Sequence, residues 1–253
     1  MKLNRTTQRT VEILKLISHN PEGITLDEIC ARLDLPKTSA YDITTTLVEM
    51  GMANVKKGPK QTYTIGLAAY RIGINYTNNL DFLSIIEPEL KAFSKSVGKT
   101  VFFGVRSDHD VVYICKFEPE NPIITTATVG TKNPMYCTSL GKAILACTDE
   151  DTRQQILGRI KFRQKTTNTI MSREALEAEL EKVKSQGYAL DAREMEEHME
   201  CAGAAVFGPD GSVMGAISVS SLYKQEEDYD ALGKVVAKKA EEVSRLLGFL
   251  GKK

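Results

Sequence analysis

Two short amphipathic segments joined by only Asp34-Leu35-Pro36 constrain this chain more than any other feature of its sequence. The first begins at Thr25-Leu26-Asp27-Glu28, where a threonine followed three residues later by a glutamate reads as a capping box. Leu26, Ile29 and Leu33 give that helix one apolar face. The second begins at Pro36, whose fixed φ and missing N–H suit a helix start. Two helices so closely joined fold as a helix-turn-helix. An earlier amphipathic helix over Thr7 to Ile17, with Val11, Leu14 and Ile17 as its stripe, precedes them and ends at Pro21-Glu22-Gly23.

On the third helix Ala40, Ile43, Leu47 and Met50 fall on the inward face. Lys37, Thr38, Ser39, Tyr41, Asp42, Thr45 and Thr46 then face out. A merely solvated face is usually rich in Glu and Lys, whereas short hydroxyl-bearing side chains reach phosphates and base edges in a major groove. Met52–Val55 and Thr62–Ile65 read as two strands around a turn carrying Lys56, Lys57 and Lys60. Such a wing contributes sequence-independent phosphate contacts. The same pattern is compatible with three ordinary helices and a surface hairpin, and it is the conjunction of cap, turn, polar helix and basic wing that favours DNA.

Charge agrees in sign: residues 1–75 hold ten Lys/Arg against seven Asp/Glu, so the zero net charge of the 253-residue chain conceals a basic head. The five cysteines (Cys30, Cys115, Cys137, Cys147, Cys201) contain no C-x-x-C pair, which argues against a disulfide framework or zinc knuckle. No apolar run approaches the roughly 20 residues of a membrane span, and the first residues lack a signal core. The expectation is a cytoplasmic protein of two domains.

Helical periodicity continues from Gly66 to Val97, with Pro88 expected to kink or interrupt it. Leu67 to Tyr76 carries more apolar surface than a small winged domain can cover, which predicts a dimer contact. The expected division is a winged domain over 1–75, a linker helix over 76–97 and a sensor domain over 98–253. The last reads as strands at Thr100–Val105, Val111–Phe117 and Ile123–Val129, then helices at Thr138–Cys147, Glu150–Arg159 and Ser172–Gln186. Strands at Tyr188–Asp191, Ala202–Phe207 and Val213–Ser220 and a helix from about Gln225 to Leu247 complete an α+β fold with one antiparallel sheet.

Six motifs occur in order: Arg9-Thr10-Val11-Glu12-Ile13-Leu14, Leu35-Pro36-Lys37-Thr38-Ser39, Tyr63-Thr64-Ile65-Gly66, Gly141-Lys142-Ala143-Ile144-Leu145-Ala146, Gly187-Tyr188-Ala189-Leu190-Asp191 and Gly215-Ala216-Ile217-Ser218-Val219-Ser220. Through them the chain resembles the IclR (isocitrate-lyase regulator) transcription factors over nearly its whole length. The resemblance implies a homodimeric DNA-binding regulator, often a dimer of dimers, with a GAF/PAS-like effector domain for small organic acids, commonly controlling catabolic operons, and the expectation here is a repressor. It also implies that Ser139, Leu140, Asp191, Cys201, Ser218 and Ser220 line the effector pocket. Similar proteins often carry Arg where Asp42 stands. Asp42 repels phosphate and can accept from cytosine N4, so no operator sequence transfers from relatives.

Several residues keep two readings. The amides of Ser139, Leu140 and Gly141 at a helix N-terminus favour a carboxylate, while Thr138 can cap that helix without any ligand. Asp191 can face a ligand or pair with Arg193. Cys201 can line a pocket or be a small buried residue. Ser218 and Ser220 share one strand face. Leu140 with Ile123, Ile124, Val129 and Met135 suggests a partly apolar cavity. An enzyme or metal site built on Cys137, Asp191, His198 and Cys201 is the competing class, weakened because His198 and Cys201 lack a complementary ligand pair. A pure interaction module leaves the wing and polar helix unexplained. No cofactor is called for.

Overall fold

A computed structural model describes residues 3–56, 58–78, 81–122 and 126–251, without the side chains of 74–78 and 81. Lys57, Leu80, Ile123, Ile124 and the side chains of Ile74 and Tyr76 lie outside this description. The chain divides into two compact units between residues 80 and 81.

The first unit contains α1 (Arg5–Ser18), β1 (Ile24–Thr25), α2 (Leu26–Leu33), α3 (Lys37–Glu49), β2 (Ala53–Lys56), β3 (Thr62–Ile65) and α4 (Leu67–Asn78). Both halves of the α2 capping box form: the Thr25 hydroxyl accepts from the Glu28 amide and the Glu28 carboxylate accepts from the Thr25 amide at 2.9 Å. Asp34 ends α2 in the left-handed region with φ 51°, which turns the chain into α3. Pro36 caps α3 from just outside it.

Ile13, Ile17, Ile24, Ile29, Ala40, Ile43, Leu47, Ala53 and Tyr63 form one core. Val11 is exposed, so the buried stripe of α1 runs through Ile13 and Ile17. Met50 is also exposed, because α3 has ended at Glu49, and Thr44 is the buried residue that the helical pattern passed over. The hairpin pairs Ala53 with Ile65 and Lys56 with Thr62, and the two-residue β1, not foreseen, adds to β3 in the order β1-β3-β2.

The second unit contains α5 (Asp81–Val97), β4 (Thr100–Ser107), β5 (Asp110–Phe117), β6 (Lys132–Pro134), a 3-10 turn (Met135–Cys137), α6 (Ser139–Cys147), α7 (Glu150–Leu157), α8 (Arg173–Gln186), β7 (Ala189–Ala192), β8 (Met199–Phe207), β9 (Val213–Leu222) and α9 (Tyr229–Leu246). All six strands pair antiparallel in the order β6-β5-β4-β9-β8-β7. Residues 126–129 form no strand, and a turn at Gly130 leads instead into β6. The last helix starts after the Asp228 cap rather than at Gln225.

Helix α5 runs unbroken through Pro88 and packs on β4, β5 and α9. It is therefore part of the second unit and not a bare connector, and the 76–97 stretch is divided between two elements. Its buried Leu83, Ile86, Leu90 and Phe93 recur at helical spacing against one face of the sheet, beside Val236, Ala240 and Val243 of α9. The other face carries α6 and, behind it, α8. There Phe102, Val111, Tyr113 and Ala216 meet Leu140, Ala143, Ile144, Leu176 and Leu180.

Close approach of α6 depends on glycine. A Cβ on Gly203 would stand 2.8 Å from the Ser139 carbonyl carbon, and one on Gly141 would stand 2.2 Å from the Met135 Cα.

Candidate functional site

Two arrangements carry chemistry, one in each unit. In the first, α3 exposes Lys37, Thr38, Tyr41, Asp42, Thr45 and Thr46, while Ser39 is half-buried under a 3.3 Å hydrogen bond from the Arg9 guanidinium. Lys56 and Lys60 on the wing are exposed. Lys37, Tyr41 and Lys60 line one open groove of about 540 Å³ with Thr25, Asp27 and Glu28. Lys37 donates to Asp27 at 2.7 Å, and that contact holds the Asp27 carboxyl below its usual range. The α2 carboxylate was missed by sequence reasoning because it lies ten residues from Lys37, on another helix.

In the second unit, Thr138 caps α6: its hydroxyl accepts from the Gly141 amide at 3.2 Å and donates to the Pro134 carbonyl. The Gly141 amide is thus already engaged, which removes it from the anion seat inferred from sequence. Ser139 and Leu140 are buried where α6 meets Gly203.

A separate small cavity, about 40 Å³, lies against the α6 face of the sheet. Asp191, Cys201 and Ser220 line it, with Phe102, Tyr113, Asn133, Met195 and Glu196. The register explains this convergence: Asp191 pairs with Cys201 and Cys201 with Ser220, so their side chains share one face. Ser218 shares that face one pair further along, opposite Phe102 and Gly203, but Ser139, Leu140, Gly141 and Ser218 are not among the cavity-lining residues.

Asp191 is not paired with Arg193. Its Oδ1 accepts from the amides of Glu194 at 2.7 Å and Met195 at 3.3 Å, and Arg193 stacks on the Tyr223 ring at 4.1 Å. Burial and then the Glu194 charge push the Asp191 carboxyl up to about 7. Burial also pushes the Cys137 thiol up to about 12 and raises the Cys201 thiol, so neither is an activated nucleophile. Cys201 instead donates to the Ser220 hydroxyl at 3.3 Å. Among the described residues no group of three or more His, Cys, Asp or Glu is placed to hold a metal ion.

Sequence reasoning also missed the buried cluster beneath this cavity. Lys142, 1% exposed, bonds Glu194 and lies 3.6 Å from Glu179. Thr166 and Thr169 donate to the backbone carbonyls of Arg193 and Glu194 and pin the loop after β7. The available signal was Lys142 itself, a charged residue in an otherwise apolar run, since a buried ammonium requires a counter-charge.

Comparison with known proteins decides the family. Residues 6–55 match the IclR helix-turn-helix domain, and residues 74–245 match the bacterial transcriptional regulator IclR C-terminal domain. The chain belongs to the IclR family. It is 28% identical over 240 residues to the Escherichia coli transcriptional regulator KdgR, covering 94% of this chain and 90% of that one. The E. coli transcriptional repressor AllR is 26% identical over 243 residues, covering 95% and 89%. The crystal structure of Thermotoga maritima IclR matches with a TM-score of 0.75 at 30% identity, over 96% of this chain and 99% of that one.

This IclR-family chain is accordingly a DNA-binding transcriptional regulator and not an enzyme. Among the described residues no helix is long and apolar enough to cross a membrane.

Proposed function

We propose that this regulator is a ligand-responsive repressor of a catabolic operon, a homodimer or dimer of dimers, that senses a small organic acid through the cavity at Asp191, Cys201 and Ser220. The observation that carries the reading is that cavity, in the second unit of a chain whose first unit is a helix-turn-helix. Its walls combine aromatic and thioether surface with a few convergent polar groups, the composition of a small-molecule site. The volume is little more than one water requires, so a ligand must displace the flexible Met195 and Met199 side chains that line it. Ser220 is the hydrogen-bonding hydroxyl already in the cavity, while Ser218 and the Ser139 and Leu140 amides at the anion-favouring α6 N-terminus meet the ligand only once those side chains have moved.

AllR's description as a repressor supports repression here. The exposed Leu67, Tyr70 and Ile72 on α4 support a dimer contact. Operator contact falls to Lys37, Thr38, Ser39, Tyr41, Asp42 and Thr45, with the wing lysines 56, 57 and 60 on phosphate.

The test is footprinting on the promoter region of the protein's own gene, across a salt series, with and without acids that raise its melting temperature. A salt-sensitive complex released by such an acid is the expected result. Lys56→Ala, Lys57→Ala and Lys60→Ala together should weaken all sequences alike and flatten the log K against log salt slope by about 0.9 for each phosphate no longer neutralised. Absence of any salt-sensitive complex sinks the operator reading. A ligand that binds without changing DNA affinity sinks the sensor reading, because signalling requires differential affinity for the two states.

A further inference from the structure

The cavity's charge balance is unfavourable to the ligand class just assigned to it. Asp191, 4% exposed, is fixed by two backbone amides and cannot swing out to solvent without losing both. Glu194 and Glu196 follow it on the loop after β7, and Glu196 lines the cavity. From β8 Cys201 faces it, from β5 Tyr113, and from the turn before α6 Cys137. All three are neutral at physiological pH because burial raises their ionisation.

Among the described residues the one cation whose field appreciably reaches Asp191 is Lys142 on α6. That ammonium is already shared between Glu194 and Glu179, and the second Glu194 oxygen, Oε2, is buried with no hydrogen-bond partner. Three carboxylates thus draw on one ammonium before any ligand arrives. An entering carboxylate would add a further negative charge to a desolvated site with no lysine or arginine among its described lining residues, an arrangement that like charges at short range do not sustain.

We propose that the cavity takes its organic acid together with one proton from solvent, and that the proton lodges on Asp191, so that ligand carboxylate and Asp191 carboxylic acid add no net charge to the site. This inference rests on the cavity being the effector site and on the effector being an acid. Once protonated, Asp191 can keep accepting the two amides through Oδ1 and donate from Oδ2, as a carboxylic acid has both capacities. The ligand-free carboxyl already titrates at about 7. Anion binding raises it further, and linkage then ties acid affinity to pH. Affinity for the anion is flat below about pH 6.5. Above about pH 7.5 it falls toward tenfold per pH unit, the limit for uptake of one proton.

The experiment uses the full-length protein and a panel of monocarboxylates from acetate and lactate to benzoate and 4-hydroxybenzoate, screened by thermal shift at pH 6.5. Binding acids are then titrated calorimetrically at pH 8 in two buffers of different ionisation enthalpy. Uptake near one proton per acid is expected in the wild type, and none in Asp191→Asn, whose side-chain oxygen can still accept both amides. A carbon-13 titration of the Asp191 carboxyl in the wild type, with and without acid, gives the same answer if the variant folds poorly. Acid binding without proton uptake overturns this inference and leaves the sensor reading intact. Uptake that persists in Asp191→Asn, or that is lost in Glu196→Gln instead, assigns the proton elsewhere and also overturns it. No binding by any acid on the panel overturns the organic-acid reading, and this inference with it.

Discussion

The two units each contain a lysine-carboxylate pair between separate segments, and the two pairs are opposite in character. Lys37 and Asp27 join α3 to α2 with side chains 70% and 78% exposed, whereas Lys142 and Glu194 join α6 to the loop after β7 at 1% and 6%. In water an exposed pair contributes little and is screened by salt, so Lys37 can exchange Asp27 for a DNA phosphate at small cost. A buried pair cannot exchange partners, because separating it strands a charge in a poorly solvated interior. The first unit keeps its charges available to an incoming polyanion. The second fixes its charges in advance, and any ligand must conform to the field they set.

Breaking both pairs tests that contrast. Lys142→Met should cost about 3–5 kcal/mol in urea unfolding at pH 7.5, since it leaves Glu194 desolvated without its counter-charge. Burial already raises the Glu194 carboxyl above its ordinary value, and losing Lys142 raises it further. A carboxyl whose pKa is higher in the folded than in the unfolded state destabilises increasingly as pH rises through that interval. The deficit should therefore shrink when unfolding is repeated near pH 5. An equal deficit at both values would place the defect in packing.

A smaller effect is expected inside the same field. Ser218→Ala with Ser220→Ala should weaken effector binding by about 1–3 kcal/mol in isothermal titration while apo DNA affinity stays constant. Unaltered effector affinity would remove these serines from the site, and altered DNA affinity would show that they support the fold.

The least effect on stability belongs to the exposed pair. Asp27→Asn should leave the melting temperature unchanged and strengthen DNA binding, most at low salt, because it frees Lys37 and removes an anion from the groove shared with Lys60. A drop in melting temperature would mean that this pair is structural and that the two units differ less than their exposures indicate.

The contrast also explains what the sequence made readable. Helix caps and short turns are local, so Thr25 with Glu28, the Asp34 turn, the Ser172 cap and the Gly187 stop could be placed from neighbours alone. Errors appeared where tertiary packing chose between adjacent candidates, as with Ile13 over Val11, or where an element was very short, as with the three-residue β6. The cavity was legible only in part. Asp191, Cys201 and Ser220 could be named through family resemblance, but Phe102, Tyr113, Asn133 and Met195 reach Asp191 only because β5 and β4 join β9, β8 and β7 in one sheet. No periodicity in the chain encodes that order, because it depends on pairings between segments about a hundred residues apart.

The glycine contact beneath α6 bears on how such a sensor can change its preference. Gly203 meets the backbone of α6 directly and Gly141 meets that of the preceding 3-10 turn, so the helix start is held between sheet and turn where there is no side chain left to shorten. A larger residue there can only lift the helix start. On the proposed assignment of the cavity, ligand choice is instead set by its walls, at Phe102, Tyr113, Met195 and Met199, where a side chain can be exchanged for a smaller or more polar one without moving the backbone. The sheet and helix then act as a fixed chassis that carries a few replaceable panels.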